Sequence, residues 1–181
     1  MGIITEESIR EKVVLRVAEQ MLTSARTAPK ARGLDSLYMA IITQEEKQKI
    51  ADLMKKIAEE KQVSFFARDA VNLENAQALV LIGTKISPLG LKACSYCGFN
   101  NCDEKLENPD IPCTFNNVDL GIAIGSAVSI ASQNNVDNRV FFSAGYAAIK
   151  GRFIPKEVKI AFGIPLSVSS KSIFFDRLKN T

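Results

Sequence analysis

The sequence has no histidine, and all of its cysteines fall within one window of twenty residues. Without histidine the commonest general base is missing, which disfavours ordinary acid–base catalysis. The chain also has no Gly-x-Ser-x-Gly elbow, phosphate-binding loop or dinucleotide fingerprint, and this argues against hydrolases and nucleoside-triphosphate enzymes. No run of about eighteen apolar residues is present, so no membrane span is predicted. Redox chemistry is the class that these absences leave.

The composition is that of an ordinary globular protein. Its 181 residues are 46% apolar and 24% charged, which favours one domain with a sizeable core. The formal net charge of +3 is too small to indicate a nucleic-acid partner. The segment from Met1 to Glu11 carries four charges and no apolar core, so we expect no secretory signal and a cytoplasmic protein.

The four cysteines, Cys94, Cys97, Cys102 and Cys113, are separated by two, four and ten residues. Four thiols are the full ligand set of a tetrahedral metal site or a cubane iron–sulfur cluster. The alternatives are chance clustering, a pair of disulfides, which a reducing cytoplasm disfavours, and structural zinc, whose sites usually use two close pairs. Three close cysteines and one remote cysteine favour an iron–sulfur cluster of the four-iron type, although the spacing differs from standard ferredoxin motifs. Zinc is the alternative metal.

The residues around the thiols are compatible with a cluster-binding loop. Gly98 allows a sharp bend, and Asn100 and Asn101 tolerate turn conformations and can donate hydrogen bonds to thiolates. Pro112 restricts the chain direction just before the last cysteine. The same residues are also common in any surface loop, so they support the cluster without establishing it.

The hydrophobic pattern alternates between helical and strand periodicity. Helices are predicted over residues 6–25 with Thr5 as the cap, over residues 43–61 from a Thr43 capping box, and over residues 118–131 with Asn117 as the cap. Strands are predicted over residues 37–42, 78–82, 139–144 and 158–162, and residues 66–75 as a short polar helix or loop. In the first helix, Ile9, Val13, Val17 and Met21 are expected to share the buried face. The predicted fold class is α+β, with a cysteine-rich loop inserted at residues 87–115.

Parts of this body resemble the nitroreductase family. Ala25-Arg26-Thr27-Ala28-Pro29 resembles the end of that family's first helix, with Lys30 and Gly33 in place of the usual serine and asparagine. Residues 158–165 (V-K-I-A-F-G-I-P) look like its last core strand, the small-residue helix from Val118 resembles its central helix, and residues 141–146 resemble the strand that follows. The resemblance implies a nitroreductase-like mixed sheet flanked by helices, in a single domain of residues 1–181.

The combination of such a body with four cysteines resembles a group of prokaryotic proteins described as containing a ferredoxin domain. The Cys-x-x-Cys-Gly start, with a third cysteine after four more residues, is similar to the cluster-binding domain of corrinoid iron–sulfur and Rnf-type electron-transfer proteins. In those proteins the last cysteine is farther away than the ten residues found here. The resemblance implies an iron–sulfur redox protein and leaves the cluster type open.

Nitroreductases hold FMN between the two subunits of an interlocked dimer, so the resemblance implies FMN contacts and a homodimer. The implied contacts are Arg26, Lys30, Arg32 and Gly33 at the turn after the first helix, Lys171 and Arg177 for the phosphate, and Ser143 and Gly145 for the ring edge. The family's arginine-rich opening motif is reduced here to Ser8 and Arg10, so part of the phosphate clamp is missing.

Two functions stay open on this basis. The preferred one is an iron–sulfur redox protein that exchanges electrons with a partner protein or a small-molecule acceptor, with FMN-dependent oxidoreductase as the candidate enzyme class. The alternative is a non-catalytic interaction module whose four cysteines hold a structural zinc ion. No nucleic-acid or membrane partner is expected.

Overall fold

The computed structural model of the protein describes residues 2–175. The helices are α1 (Glu6–Thr27), α2 (Gln44–Lys61), α3 (Ser64–Asn75), α4 (Cys102–Leu106), α5 (Thr114–Gln133) and α6 (Phe142–Lys150). The strands are β1 (Leu37–Ile42), β2 (Ala78–Lys85), β3 (Asp137–Asn138) and β4 (Val158–Ser167). None of the described helices combines the length and the hydropathy that a membrane crossing requires.

The four strands form one sheet in the order β1-β2-β4-β3, with a layer of helices on each face. Helices α2, α3 and α6 share one hydrophobic core with Leu79 and Leu81, while α1 and α5 share the other with Val80 and Ile82. This division follows from the strand geometry, because successive side chains of β2 point to opposite faces. The alternation therefore makes the central strand apolar on both sides.

All strand pairings among the described residues are antiparallel, whereas a mixed sheet was expected. The chain between β1 and β2 contains two helices, α2 and α3. Two helical crossings bring the chain back to the end of the sheet where β1 finished, so β2 runs in the opposite direction. The predicted α+β class is correct, but the sequence pattern did not indicate the direction in which the strands pair.

The predicted first helix is present, but its buried face is shifted. Thr5 caps the helix by accepting a hydrogen bond from the Ser8 amide at 3.4 Å. Ile9 and Val13, which were expected inside, are partly exposed. The buried positions of α1 are Val14, Val17, Ala18, Met21 and Ala25. The small residues Ala18 and Ala25 allow close packing against α5. The stability gained from this packing outweighs what burial of the larger apolar side chains nearer the N-terminus would give.

Of two further predicted helix starts, the one at Thr43 is correct in position, and the one after Asn117 is wrong. The Thr43 side chain makes no capping hydrogen bond, and Gln44 has a positive φ of 47°, so the predicted capping box does not form. Helix α5 begins at Thr114 with Cys113 as its N-cap residue, not after Asn117. The cysteine-rich segment between β2 and α5 therefore comprises residues 86–113.

The strand predicted over residues 139–144 is wrong, because Phe142 begins helix α6 and only Phe141 makes an isolated bridge to Gly163. A short apolar run does not distinguish a strand from a buried helix. The predicted residues 158–162 are correctly extended, but β4 continues to Ser167 through Gly163 and Pro165, which look like strand-ending residues. Residues 66–75 are helical and belong to α3.

Candidate functional site

The cysteine segment, residues 86–113, joins the central strand β2 to α5 and contains the short helix α4. All four cysteines are free thiols, so the described residues contain no disulfide. Cys94, Cys97 and Cys102 are half-buried, and Cys113 is buried at the N-cap of α5. Gly98 has a φ of 89° and its amide donates to the Ser95 carbonyl at 2.9 Å, which gives the bend expected after Cys97.

The described residues contain no group of three or more cysteine, aspartate or glutamate side chains that converges in the manner of a metal site. The Cys102 thiol is instead directed at the Leu91 carbonyl, with Sγ 3.8 Å from the oxygen. The structure thus places the four cysteines on one segment without forming a coordination shell.

Both ends of the cysteine segment are fastened to the first turn of α5. The buried Asn116 side chain accepts a hydrogen bond from the Ser87 amide at 2.8 Å and donates one to the Ser87 carbonyl at 3.0 Å. Asn116 lies three residues after Cys113, so the entry and the exit of the segment meet at the same place. A single amide side chain fixes both backbone groups of Ser87, which closes the base of the segment.

The turn after α1, residues 30–33, lies against this base. The Arg32 Nη1 atom donates to the Leu89 carbonyl at 2.6 Å. The Ala31 amide donates to Asp119 Oδ1 on α5 at 3.0 Å, whereas Asp119 Oδ2 is buried without a hydrogen-bond partner. The structure thereby brings the turn that was predicted to contact flavin next to the segment that carries the cysteines.

The charged side chains of this turn all have partners within the chain. Lys30 Nζ donates to the carbonyls of Ala25, Arg26 and Ala28 at 2.7 to 2.9 Å and so caps the C-terminus of α1. Arg26 forms an ion pair with Asp35 across the turn. Arg32 and Gly33 both have positive φ values, 58° and 67°. Lys30 and Arg26 are therefore occupied in holding the turn itself.

The remaining predicted flavin contacts lie elsewhere. Ser143 and Gly145 are buried in α6, on the opposite face of the sheet, and not at a strand end. The Ser143 hydroxyl donates to Asp69 Oδ2 at 2.7 Å, and a Cβ on Gly145 would lie 1.9 Å from the Ala161 carbonyl oxygen. Both residues thus have roles in packing, and their contact with flavin stays a prediction. Lys171 is exposed, its carbonyl accepting from the Ser169 hydroxyl, and Arg177 lies outside the described residues.

Three buried polar residues near the cysteines were not predicted: Lys105, Asn116 and Asp119. Asn116 and Asp119 are three residues apart on α5, so they face the same side of the helix. Polar residues at that spacing in an otherwise apolar helix are the signal that could have identified them. Nothing in the sequence distinguishes the buried Lys105 from the exposed Lys92 of the same segment.

Residues 110–177 match the family described as "Uncharacterized protein containing a ferredoxin domain (DUF2148)". An uncharacterized protein of Archaeoglobus fulgidus is 38% identical over 182 residues, which cover 97% of each chain. The chain belongs to this ferredoxin-domain family. The segment of this chain that matches the family, residues 110–177, includes Cys113 but not the other three cysteines.

Solved structures confirm the predicted nitroreductase-like fold. A nitroreductase with bound FMN from Desulfitobacterium hafniense aligns with a TM-score of 0.57 and 11% identity over 94% of this chain and 81% of that one. A BluB-like flavoprotein from Clostridium difficile aligns with a TM-score of 0.55 and 19% identity over 99% and 85% of the two chains. At these identities the similarity establishes the fold and not the activity.

Proposed function

We propose that this ferredoxin-domain protein is a redox protein that binds an iron–sulfur cluster through Cys94, Cys97, Cys102 and Cys113. The observation that carries the proposal is the placement of every thiol of the chain, all of them free, on one segment with a closed base. The family description, which names a ferredoxin domain, supports it. Four thiolates can hold a cluster of four irons, and such a cluster would supply one-electron transfer.

The donor set fits such a group in its chemistry, although the sulfurs do not converge in the described structure. Four thiols are a soft ligand set suited to iron–sulfur clusters and zinc, and no histidine competes with them. Cys113 is held at the start of α5, while the other three thiols lie on a segment whose only helix has five residues. We therefore infer that metal binding is coupled to rearrangement of the cysteine segment. Asn116 and Arg32 would hold its base during that rearrangement.

FMN is the second proposed cofactor, and it is supported by the fold alone. Lys30 and Arg26 have partners within the chain, Arg32 donates to Leu89, and Ser143 is buried. These four side chains therefore already have partners among the described residues. Asp119 Oδ2, a buried acceptor on α5 beside the turn, has no hydrogen-bond donor among the described residues. Assay of flavin on the purified protein tests this cofactor.

We also propose that the protein forms a homodimer through the outer face of α5. An apolar groove of about 400 Å³ lies between this helix and the sheet, and no charged residue lines it. It is lined by Asn117, Leu120, Gly121, Ile124, Val140, Ile160 and Phe162. Val118 and Ile122 are exposed beside it, one helical turn apart. A second copy of the chain, related by two-fold symmetry, would cover both residues.

The first experiment is anaerobic purification, followed by absorbance spectroscopy and assays of iron, sulfide, zinc and flavin on the same sample. We expect broad brown absorption with about four irons and four sulfides per chain. Replacing any one cysteine by serine, for example Cys113→Ser, should lower the bound iron severalfold, because the ligand set is then incomplete.

Ser95→Ala is the matched control, since Ser95 is exposed and lies between two of the proposed ligands. Its iron content should equal that of the wild type. A colourless wild-type protein with one zinc ion per chain would contradict the redox proposal and favour the structural zinc module. Flavin released on denaturation would add the oxidoreductase class, and its absence would leave electron transfer.

A further inference from the structure

Lys105 is a fully buried lysine in the middle of the cysteine segment. The residue is 1% exposed, and it is the one lysine or arginine that is buried among the described residues. Its ammonium group has three N–H donors, but the one acceptor found for it is the Asn108 carbonyl, 3.0 Å from Nζ. In the part of the chain that the structure describes, no carboxylate forms an ion pair with it.

The acidic residues nearest in sequence do not neutralise this charge. The Glu104 carboxylate accepts hydrogen bonds from the amide and the side chain of Asn100, both at 2.8 Å. Asp103 and Glu107 are exposed. A buried ammonium with one neutral acceptor is unfavourable by several kcal/mol in general, so such a group is rarely kept without an anion.

The position of Lys105 indicates which anion it would pair with. It follows Cys102 by three residues on α4, and side chains at this spacing lie on the same face of a helix. Four thiolates carry more negative charge than a zinc ion or an iron–sulfide core carries positive charge, so the loaded site is an anion with either metal. A buried cation in the same segment supplies the opposite charge without any rearrangement of distant residues.

We propose that Lys105 is the internal counter-ion of the metal–thiolate group and raises both its stability and its reduction potential. This inference rests on the proposed metal-binding function. The effect on stability applies to zinc as well as to an iron–sulfur cluster, whereas the effect on the reduction potential applies to the cluster alone, because zinc has no redox chemistry. It also gives the buried Lys105 ammonium an anionic partner, which the described residues do not provide. Because reduction adds negative charge to the site, a nearby cation favours the reduced form.

Three variants test the proposal: Lys105→Met, Lys105→Arg and the control Lys92→Met. Methionine keeps most of the aliphatic stem and removes the charge, whereas arginine keeps the charge. Lys92 is exposed in the same segment, so its replacement changes the net charge equally without changing a buried group. Each variant is compared with the wild type as metal-free protein and after reconstitution with iron and sulfide under anaerobic conditions, and separately with zinc.

We expect opposite effects in the two states. Metal-free Lys105→Met should be as resistant to urea as the wild type or more so, because an unpaired buried charge has been removed. The loaded Lys105→Met protein should lose metal to a chelator about 10- to 100-fold faster, the range typical of residues that support metal ligands. Its midpoint potential, measured by titration with dithionite as electron donor, should be more negative. Lys105→Arg should retain most of the wild-type behaviour, and Lys92→Met all of it.

The proposal is overturned if Lys105→Met holds metal and titrates as Lys92→Met does. It is also overturned if Lys105→Met destabilises the metal-free protein as much as the loaded one, since that result assigns Lys105 to packing of the segment. A wild-type protein that binds zinc but no cluster would refute the proposed redox function alone, because the zinc-release comparison still tests Lys105. A wild type that binds neither metal would refute both.

Discussion

At the scale of single residues, the turn after α1 shows how side chains predicted to bind a cofactor are used within the chain. Asp35 pairs with Arg26 across the turn and accepts a hydrogen bond from the Leu37 amide at 2.9 Å. Partial burial of Asp35 opposes its ionisation, but the Leu37 amide and the Arg26 guanidinium together leave its pKa below the usual value. The ionised Asp35 thus stabilises the turn that contacts the cysteine segment.

This arrangement predicts a pH-dependent effect for Asp35→Asn. Because the pKa of Asp35 is lower in the folded than in the unfolded chain, its contribution is present above the unfolded value of about 4 and is lost as the pH falls through the folded pKa. At pH 7 the variant should lose about 1 kcal/mol of unfolding free energy, a modest value because Arg26 is half exposed. Urea denaturation between about pH 7 and pH 2 measures the difference.

Glu60→Gln is the control, since Glu60 is exposed near the end of α2. The control should differ little from the wild type at any of these pH values. An Asp35→Asn difference that stays constant or grows as the pH falls would contradict the assigned role of the ionised carboxylate.

At the scale of elements, the close contact between α6 and β4 depends on two glycines, Gly145 in the helix and Gly163 in the strand. A Cβ on Gly163 would lie 2.6 Å from the Ala144 Cβ, whereas a Cβ on Gly145 would lie 1.9 Å from the Ala161 carbonyl oxygen. Gly163→Ala should therefore cost about 2 kcal/mol of unfolding free energy, and Ala144→Gly in the same chain should restore part of that loss. Gly145→Ala should cost more, about 3 kcal/mol, because its obstacle is backbone.

The double variant Gly145→Ala with Ala144→Gly serves as the matched comparison, and it should show no rescue. Urea unfolding of the single and double variants gives the coupling energies. Equal coupling energies of Gly163→Ala and Gly145→Ala with Ala144→Gly would contradict the described packing. Such a result would show that α6 and β4 move apart to accommodate either added Cβ.

The same elements show where the local pattern was sufficient. The bounds of β1 were predicted correctly, because turn signals on both sides limit the apolar run to the length of a strand. The α6 region was predicted as a strand because Phe141 and its neighbours form an equally short apolar run. The deciding factor was the contact of Gly145 with Ala161 of β4, which lies sixteen residues farther along the chain. Local propensity does not contain that information.

At the scale of the whole molecule, the apolar face of α5 predicts the association state. Ile122→Glu places a charge in the proposed interface and should convert a dimer to a monomer, because an unpaired charge is excluded from an apolar contact. Size-exclusion chromatography with light scattering measures the molar mass. A protein concentration of about 50 μM is high enough to populate a dimer whose Kd is micromolar.

Val71→Glu is the control, because Val71 is exposed to a similar extent, 49% against 42% for Ile122, but lies on α3 at the opposite face of the sheet. This variant should keep the wild-type mass. A monomeric wild type, or dissociation caused equally by both variants, would show that the α5 face is not the interface.

The sequence by itself determined the set of four thiols, the absence of imidazole and the α+β class, because composition and short-range periodicity are properties of neighbouring residues. The tertiary structure decided which groups the individual side chains contact. Lys30 caps α1, and Arg32 binds the Leu89 carbonyl. Within the cysteine segment, Lys105 is buried while Lys92 is exposed. These outcomes depend on how the turn, the cysteine segment and α5 pack together, and a one-dimensional pattern does not record contacts between segments that are distant in the chain.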